Sequence, residues 1–427
     1  MSRLHPQTAP SSDVMLRAFP YPYRAALTIC SDIDQTQTCA EFMEIQRFLN
    51  TKQLTTVGEG VGLEIGNSFF FYDQKQEFSF FTHNALARHI IIDMIHAGYI
   101  DCIHSYGDAA MQRDQVLYAL DALNQADCKL DVWINHYGAP SNVSRTFEFR
   151  LGICQGDNPT SPIYHTDVTL DYGVRFFWTG AITRIVGQSA LRSPYPLMTT
   201  FKQCDRLRST LDFAKETRKM LLGLLGNTRY TLQRHNQLMQ VIHLRDGRKV
   251  YDFNRYCYHP VNIQQGATSR GLAHAIAPHA LNTLKHVQGY MVVYTHLSKN
   301  SDCPDVMAPE TVTALRNLEQ EYRSGSIYVT TTSKLLNYHQ AHHYVDWSVH
   351  TAGEHLHIII NALEDPIQGP FIPSMRHLQG ITFYVPNRDQ VDVSIQDRQI
   401  LDLQRNPVDA SGRESVTIPF TRLNFPG

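Results

Sequence analysis

From Arg24 to about residue 335, short apolar β-prone runs alternate with longer stretches of helical period, and this alternation limits the fold more than any other feature of the chain. Parallel strands cannot be joined by tight turns and need a crossover of a dozen or more residues, usually a helix. AALTIC (25–30), YIDCIH (99–104), LDVWIN (130–135), GVRFFW (173–178), GYMVVYTH (289–296) and SIYVTT (326–331) read as strands. Between them, Asn84–His96 gathers Leu86, Ile90, Ile91 and Ile95 on one side, and Ala110–Asn124 does the same with Val116, Leu117, Leu120 and Leu123. Residues 205–225 form a longer helical stretch, charged on one side. The expected fold class is α/β, a distorted (β/α) barrel.

After about residue 340 the pattern changes to short, often alternating β-rich runs, HLHIIINAL, GITFYV, VDVSIQD and ESVTIPF, split by turn-forming segments. With 427 residues the chain exceeds one ordinary core. The expected division is a flexible leader at 1–20, a barrel at 21–338, and a small antiparallel, sandwich-like β domain at 339–427 with no helix of its own.

A formal net charge of −2 leaves no basic footprint for a phosphate backbone, so nucleic acid is not an expected partner. No apolar run approaches the ~20 residues of a membrane-spanning helix, and the polar, Pro- and Ser-rich start lacks the apolar segment of a secretory signal. The eight cysteines are dispersed without a C-x-x-C pair, against both a zinc ribbon and a disulfide framework. A cytoplasmic protein with reduced thiols is expected. Asn142-Val143-Ser144 has the form of a glycosylation acceptor, which nothing else in the chain supports.

Chemistry-bearing residues collect where the runs end. YRAALTICSDIDQT (23–36) closes an apolar run with Asp32 and Asp34. YIDCIHSYGD ends another with His104, and Asp108 follows four positions later; VWINHYGAPSN delivers Asn135, His136 and Asn142; GYMVVYTHLS delivers His296. Barrel enzymes place their chemistry at the C-terminal ends of strands, and the conjunction of four polar strand ends carries more weight than any member.

This order of motifs, an Asp-rich end to the first strand, an H-S-x-x-[H/D] loop and a late VVYTH strand, resembles the NodB-homology polysaccharide deacetylases over roughly residues 20–335. The resemblance implies a distorted barrel of the deacetylase type with fewer than eight complete units. It also implies one divalent metal, usually zinc, that promotes hydrolysis of an acyl amide on a sugar. Under it, Asp32 is the catalytic base and His296 the general acid, while Asp34, His104 and Asp108 hold the metal. His136, Asn142, Arg255, Tyr106 and Tyr137 are further candidates for ligand or substrate contact. The implied partner is a carbohydrate or acylated amino-sugar substrate.

The departures matter. The usual adjacent aspartates are here Asp-Ile-Asp, so the roles of Asp32 and Asp34 are open to exchange. Asp108 stands where the family has a second histidine, giving a harder, more anionic set that leaves room for another divalent ion, unless His136 restores a nitrogen ligand. The family's third-motif arginine is missing from its usual place, with Arg175, Arg184 and Arg255 as replacements. Two alternatives stay beside the deacetylase reading: a non-catalytic carbohydrate-binding protein on the same barrel, and a metal-dependent hydrolase of a non-sugar amide. Trp133 and Trp178, inside apolar runs, are expected in the core rather than against a sugar. The histidines at 339, 342, 343 and 350 lack a ligand spacing, and GEGVGLEIG (58–66), with Glu59 and Glu64, reads as an ordinary loop rather than a phosphate loop.

Overall fold

The computed structural model describes residues 13–427 apart from 73–77, 82–83, 108–109, 137, 144–152, 194–196, 198–205 and 300–305. Two compact units emerge, one of residues 25–333 with 423–427, the other of the N-terminal segment to Arg24 with 334–422.

The larger unit is built on an eleven-stranded, mostly parallel sheet. Its central strand, Ala26–Asp32, is buried along its whole length, as a parallel strand covered on both faces must be. One edge of this strand pairs with Tyr290–Thr295 from Ala26 to Ser31. The other edge is shared, Tyr328–Val329 taking Ala26 and Leu27 while Gly66–Phe69 takes Cys30 to Asp32. From Gly66–Phe69 the sheet continues through Ile100–His104, Val132–Ile134 and Phe176–Trp178 to Lys249–Phe253.

Chain connectivity curls this sheet into a distorted barrel. Phe176–Trp178 is followed after three residues by Ile182–Thr183, and Lys249–Phe253 after one residue by Arg255–Tyr256. These continuations pair with each other and with Tyr290–Thr295, so the far end of the sheet returns to within a few residues' reach of the strands it left.

Helices cover the outside for local reasons. Thr38 caps Cys39–Asn50 by accepting the Glu41 N–H at 3.1 Å, and that helix buries Phe42, Ile45, Phe48 and Leu49. Asn84 caps Ala85–His96, while Pro278 and Pro309 open Pro278–Val287 and Pro309–Arg323. Each fully buried side chain of this size contributes about 1.5–3 kcal/mol. Among the described residues no helix is long and apolar enough to cross a membrane.

All six strand runs read from the sequence lie on strands of this sheet, although Gly66–Phe69, Met239–His243 and Lys249–Phe253 escape that reading. Glu64 precedes Gly66–Phe69 and so sits at the end of the sheet opposite the strand C-termini, where it accepts the Leu423 N–H at 2.7 Å.

The smaller unit departs from expectation in three ways. One of its two sheets is mixed, because His355–Asp365 and Val391–Ile395 pair in parallel, the connection between them being long enough to travel through the other sheet and return; that other sheet is antiparallel throughout, as expected. It includes most of the helix Thr332–Tyr344. Residues 15–17, assigned to the leader, form a strand, Met15–Arg17, paired with Thr382–Val385. Buried Arg17 holds this segment in place by donating to the carbonyls of Phe19, Pro20 and Pro22 and by pairing with Asp409 at 3.3 Å.

Candidate functional site

The candidate residues meet because strand register gives them a common face. Asp32 pairs with Ser68, Ser68 with Cys102, and His104 with Ile134. Directly paired residues project to the same side and side chains alternate along a strand. The Ile134 face is therefore shared by His104 and, two residues on, by His136. Ser31 pairs with Thr295, which places His296 level with Asp32. Ser105, with φ 55°, takes the left-handed conformation immediately after His104 and turns the chain off the strand there.

Asp32 is 1% exposed and tied on both oxygens. Its Oδ1 accepts from Ser68 Oγ at 2.7 Å and Arg255 Nη2 at 3.0 Å, and its Oδ2 from Arg255 Nη1 at 3.2 Å. Arg255 is itself 0% exposed and lies against both Trp178 and Tyr294, its central carbon 4.5 and 4.2 Å from the two ring centroids. Burial opposes ionisation of Asp32, but Arg255, and after it His104 and His296, hold its pKa below the ordinary carboxylate range. Of Arg175, Arg184 and Arg255, it is Arg255 that pairs with Asp32. Arg175 pairs instead with Asp131 and Arg184 with Asp212.

Asp34 lies just beyond the strand end, partly exposed. Its Oδ1 is 3.1 Å from His296 Nε2, and despite burial that imidazole holds the carboxyl pKa well below its usual range. His296 is oriented from behind by its Nδ1, which donates to the Ala267 carbonyl at 2.8 Å. Burial works against a charged His296, yet the Asp34 carboxylate prevails and raises its pKa.

His104 behaves oppositely. Buried at 2% exposure and stacked on Phe70 with ring centroids 4.5 Å apart, it has its pKa pulled down to about 4, desolvation outweighing the nearby carboxylates. Its Nδ1 faces Asp32 Oδ1 at 3.7 Å and Asp34 Oδ1 at 3.8 Å and has no hydrogen-bond partner. One ligand atom from each of Asp32, Asp34 and His104 lies within 4.8 Å of the others, so this buried group could hold a metal ion. A neutral imidazole with an unbonded nitrogen aimed at two ionised carboxylates is the donor set a divalent cation fits.

His136 packs edge-on against both His104 and Phe70, at 5.0 Å between centroids in each case, and is among the groups that pull the Asp34 pKa down. Asn142 does not face the site. It clamps the His136 backbone, accepting its N–H at 2.9 Å on Oδ1 and donating from Nδ2 to its carbonyl. Asn135 is likewise structural, accepting from Trp133 Nε1 at 2.9 Å.

Asp108 and Tyr137 lie outside the described residues. Tyr106 is corrected to a core residue: it is 0% exposed, its hydroxyl meets Thr169 Oγ1 at 2.7 Å, and it packs on Trp133 and His165, so it presents no face to a substrate. Trp133 and Trp178 are both buried as expected, and Trp178 also braces Arg255. Ser68, Phe70 and Tyr294 are the site residues that sequence reading missed. Their signal was parity: Tyr294 stands two residues before His296, and the run GNSFFFY ends a strand beside Asp32.

No family model, no curated protein and no solved structure matches the chain.

Proposed function

We propose that the chain is a metal-dependent hydrolase of the NodB-homology deacetylase kind, removing an acyl group, N-acetyl foremost, from a carbohydrate or related amide. The observation that carries this reading is the pairing of two differently furnished carboxylates at one strand end. Asp32 is locked and kept ionised by Arg255, while Asp34 is partly open and shares its space with the unbonded Nδ1 of His104.

In this reading Asp34 and His104 hold the ion, with His136 beside them as a further nitrogen donor, and zinc is the ion we favour for a set containing imidazoles. A divalent ion held there by these residues would supply Lewis acidity toward a scissile carbonyl and would make a nearby water easier to deprotonate. Asp32 accepts the proton from that water, its orientation fixed by Ser68 and Arg255 so that little reorganisation accompanies the transfer. His296, with its Nδ1 anchored on Ala267 and its pKa raised, delivers a proton from Nε2 to the leaving amine. Ionised base and protonated acid coexist near neutral pH because the surroundings push their pKa values apart.

The test is metal content per chain in protein purified without chelators, together with acetate release from N-acetylated sugars, for wild type, Asp34→Ala and His104→Ala. About one equivalent of a transition metal, lost with activity in folded variants, supports the reading. Acetate release at wild-type rates by both variants overturns it.

A further inference from the structure

We propose that the outer face of the sheet formed by Val345–Ala352, His355–Asp365 and Val391–Ile395 is a second divalent transition-metal site, built from His350, His355, His357 and Asp392. It is independent of the barrel chemistry and lies wholly within the smaller unit.

The register assembles it. His350 is paired directly with His357 across the hairpin, and His357 directly with Asp392 on the next strand, so one row across three strands carries two imidazoles and a carboxylate. His355, two residues before His357, shares their face, and its Nε2 already lies 2.8 Å from Asp392 Oδ2. The opposite face of the same strands is core, with Ile358 and Val393 both 0% exposed. The polar row is therefore on the solvent side, where His350 and His355 are exposed.

Hydrogen-bond accounting points the His357 lone pair. Ser394 Oγ donates its only proton to the Gln396 carbonyl at 2.6 Å, so toward His357 Nε2, 3.1 Å away, it can only accept. Nε2 carries the proton and Nδ1 carries the free lone pair, held by a partner of the sort that orients ligating histidines elsewhere. Among the described residues the ligand atoms of this row are not yet gathered as those of the barrel site are; directly opposed side chains have Cβ atoms about 4.5–5.5 Å apart, so rotation of the exposed imidazoles would be needed to bring them to a shared ion at about 2.0–2.1 Å. Three imidazoles and one carboxylate suit zinc, copper or nickel rather than calcium or magnesium. An ion there ties three strands together.

The experiment is calorimetric titration of Zn²⁺ into the full chain carrying Asp34→Ala and His104→Ala, with and without His350→Ala and His357→Ala. We expect one equivalent in the first protein and none in the second. No uptake by the first, or equal uptake by both, overturns the proposal. Should the barrel variants fail to fold, His350→Ala/His357→Ala in the otherwise native chain must bind one equivalent fewer than wild type and lose part of the Zn²⁺-induced rise in Tm. Unchanged stoichiometry overturns the proposal while leaving the hydrolase reading intact.

Discussion

Arg255 spans the carboxylate of Asp32 with two guanidinium nitrogens, at 3.0 and 3.2 Å, and neither residue is more than 1% exposed. The pair joins two strands far apart in sequence, and Arg255 Nη2 also donates to the Cys30 carbonyl at 3.1 Å. Arg255→Met leaves an uncompensated buried carboxylate, a defect costing roughly 3–5 kcal/mol. Arg255→Lys keeps the charge and loses the bidentate geometry. We expect Arg255→Lys to fold with kcat/KM reduced on the order of 10²-fold or more, and Arg255→Met to melt well below it. Thermal melts and acetate release on the same preparations check both.

His296→Gln tests the acid. Its loss is expected to lower kcat on amide substrates by on the order of 10²–10⁴-fold. An aryl acetate, whose leaving group departs without a proton, should suffer much less, and metal content should stay at the wild-type level. Equal losses on both substrate types would remove His296 from the role of proton donor.

Asn142 reaches His136 only through its backbone, so Asn142→Ala should act at a distance. Metal affinity is expected to fall by about 10–100-fold, the usual effect of loosening a ligand's support, with stability lowered by about 1 kcal/mol. His136→Ala should weaken metal binding further. If competition with a chromophoric chelator shows both variants at wild-type affinity, His136 is a wall of the site and not a ligand.

Asp101 gives a pH dependence whose sign is fixed by burial. At 4% exposure its pKa is raised to about 7, desolvation outweighing the Ser333 N–H that it accepts at 2.7 Å. The folded state therefore holds a proton that the unfolded chain, with a carboxyl near 3.8, has released. The stability from this group is complete below about pH 4 and is lost as pH rises through about 7, by on the order of 2–4 kcal/mol. Asp101→Asn keeps an oxygen acceptor for Ser333 and removes the titration. Denaturant melts of the two proteins between pH 4 and 8 should diverge in favour of the variant as pH rises; parallel curves would show Asp101 to be ionised at no such cost.

Much of the larger unit was legible because its physics is local. Period-2 and period-3.6 patterning, a Thr or Asn before each helix at residues 39 and 85, and prolines at 278 and 309 act within a few residues of themselves. Asp32, Asp34, His104 and His296 were legible for a related reason: each stands at or just past the end of an apolar run, so finding the run finds the residue. Strands such as Gly66–Phe69 and Lys249–Phe253 were not, since Gly, Asn, Lys and Asp dilute the apolar signal and burial comes from their neighbours.

By itself, then, the sequence determined the succession of elements and the strand-end placement of the polar residues, because propensity, capping and side-chain alternation are decided over one or two turns or a few strand residues. The tertiary structure alone decided which strand lies beside which. It chose Arg255 over Arg175 and Arg184 for Asp32, turned Tyr106 into the core, set Asn142 behind His136, and drew Met15–Arg17 across to Thr382–Val385. Each of these is a pairing between segments distant in sequence, settled by the register and curl of sheets that no local pattern encodes.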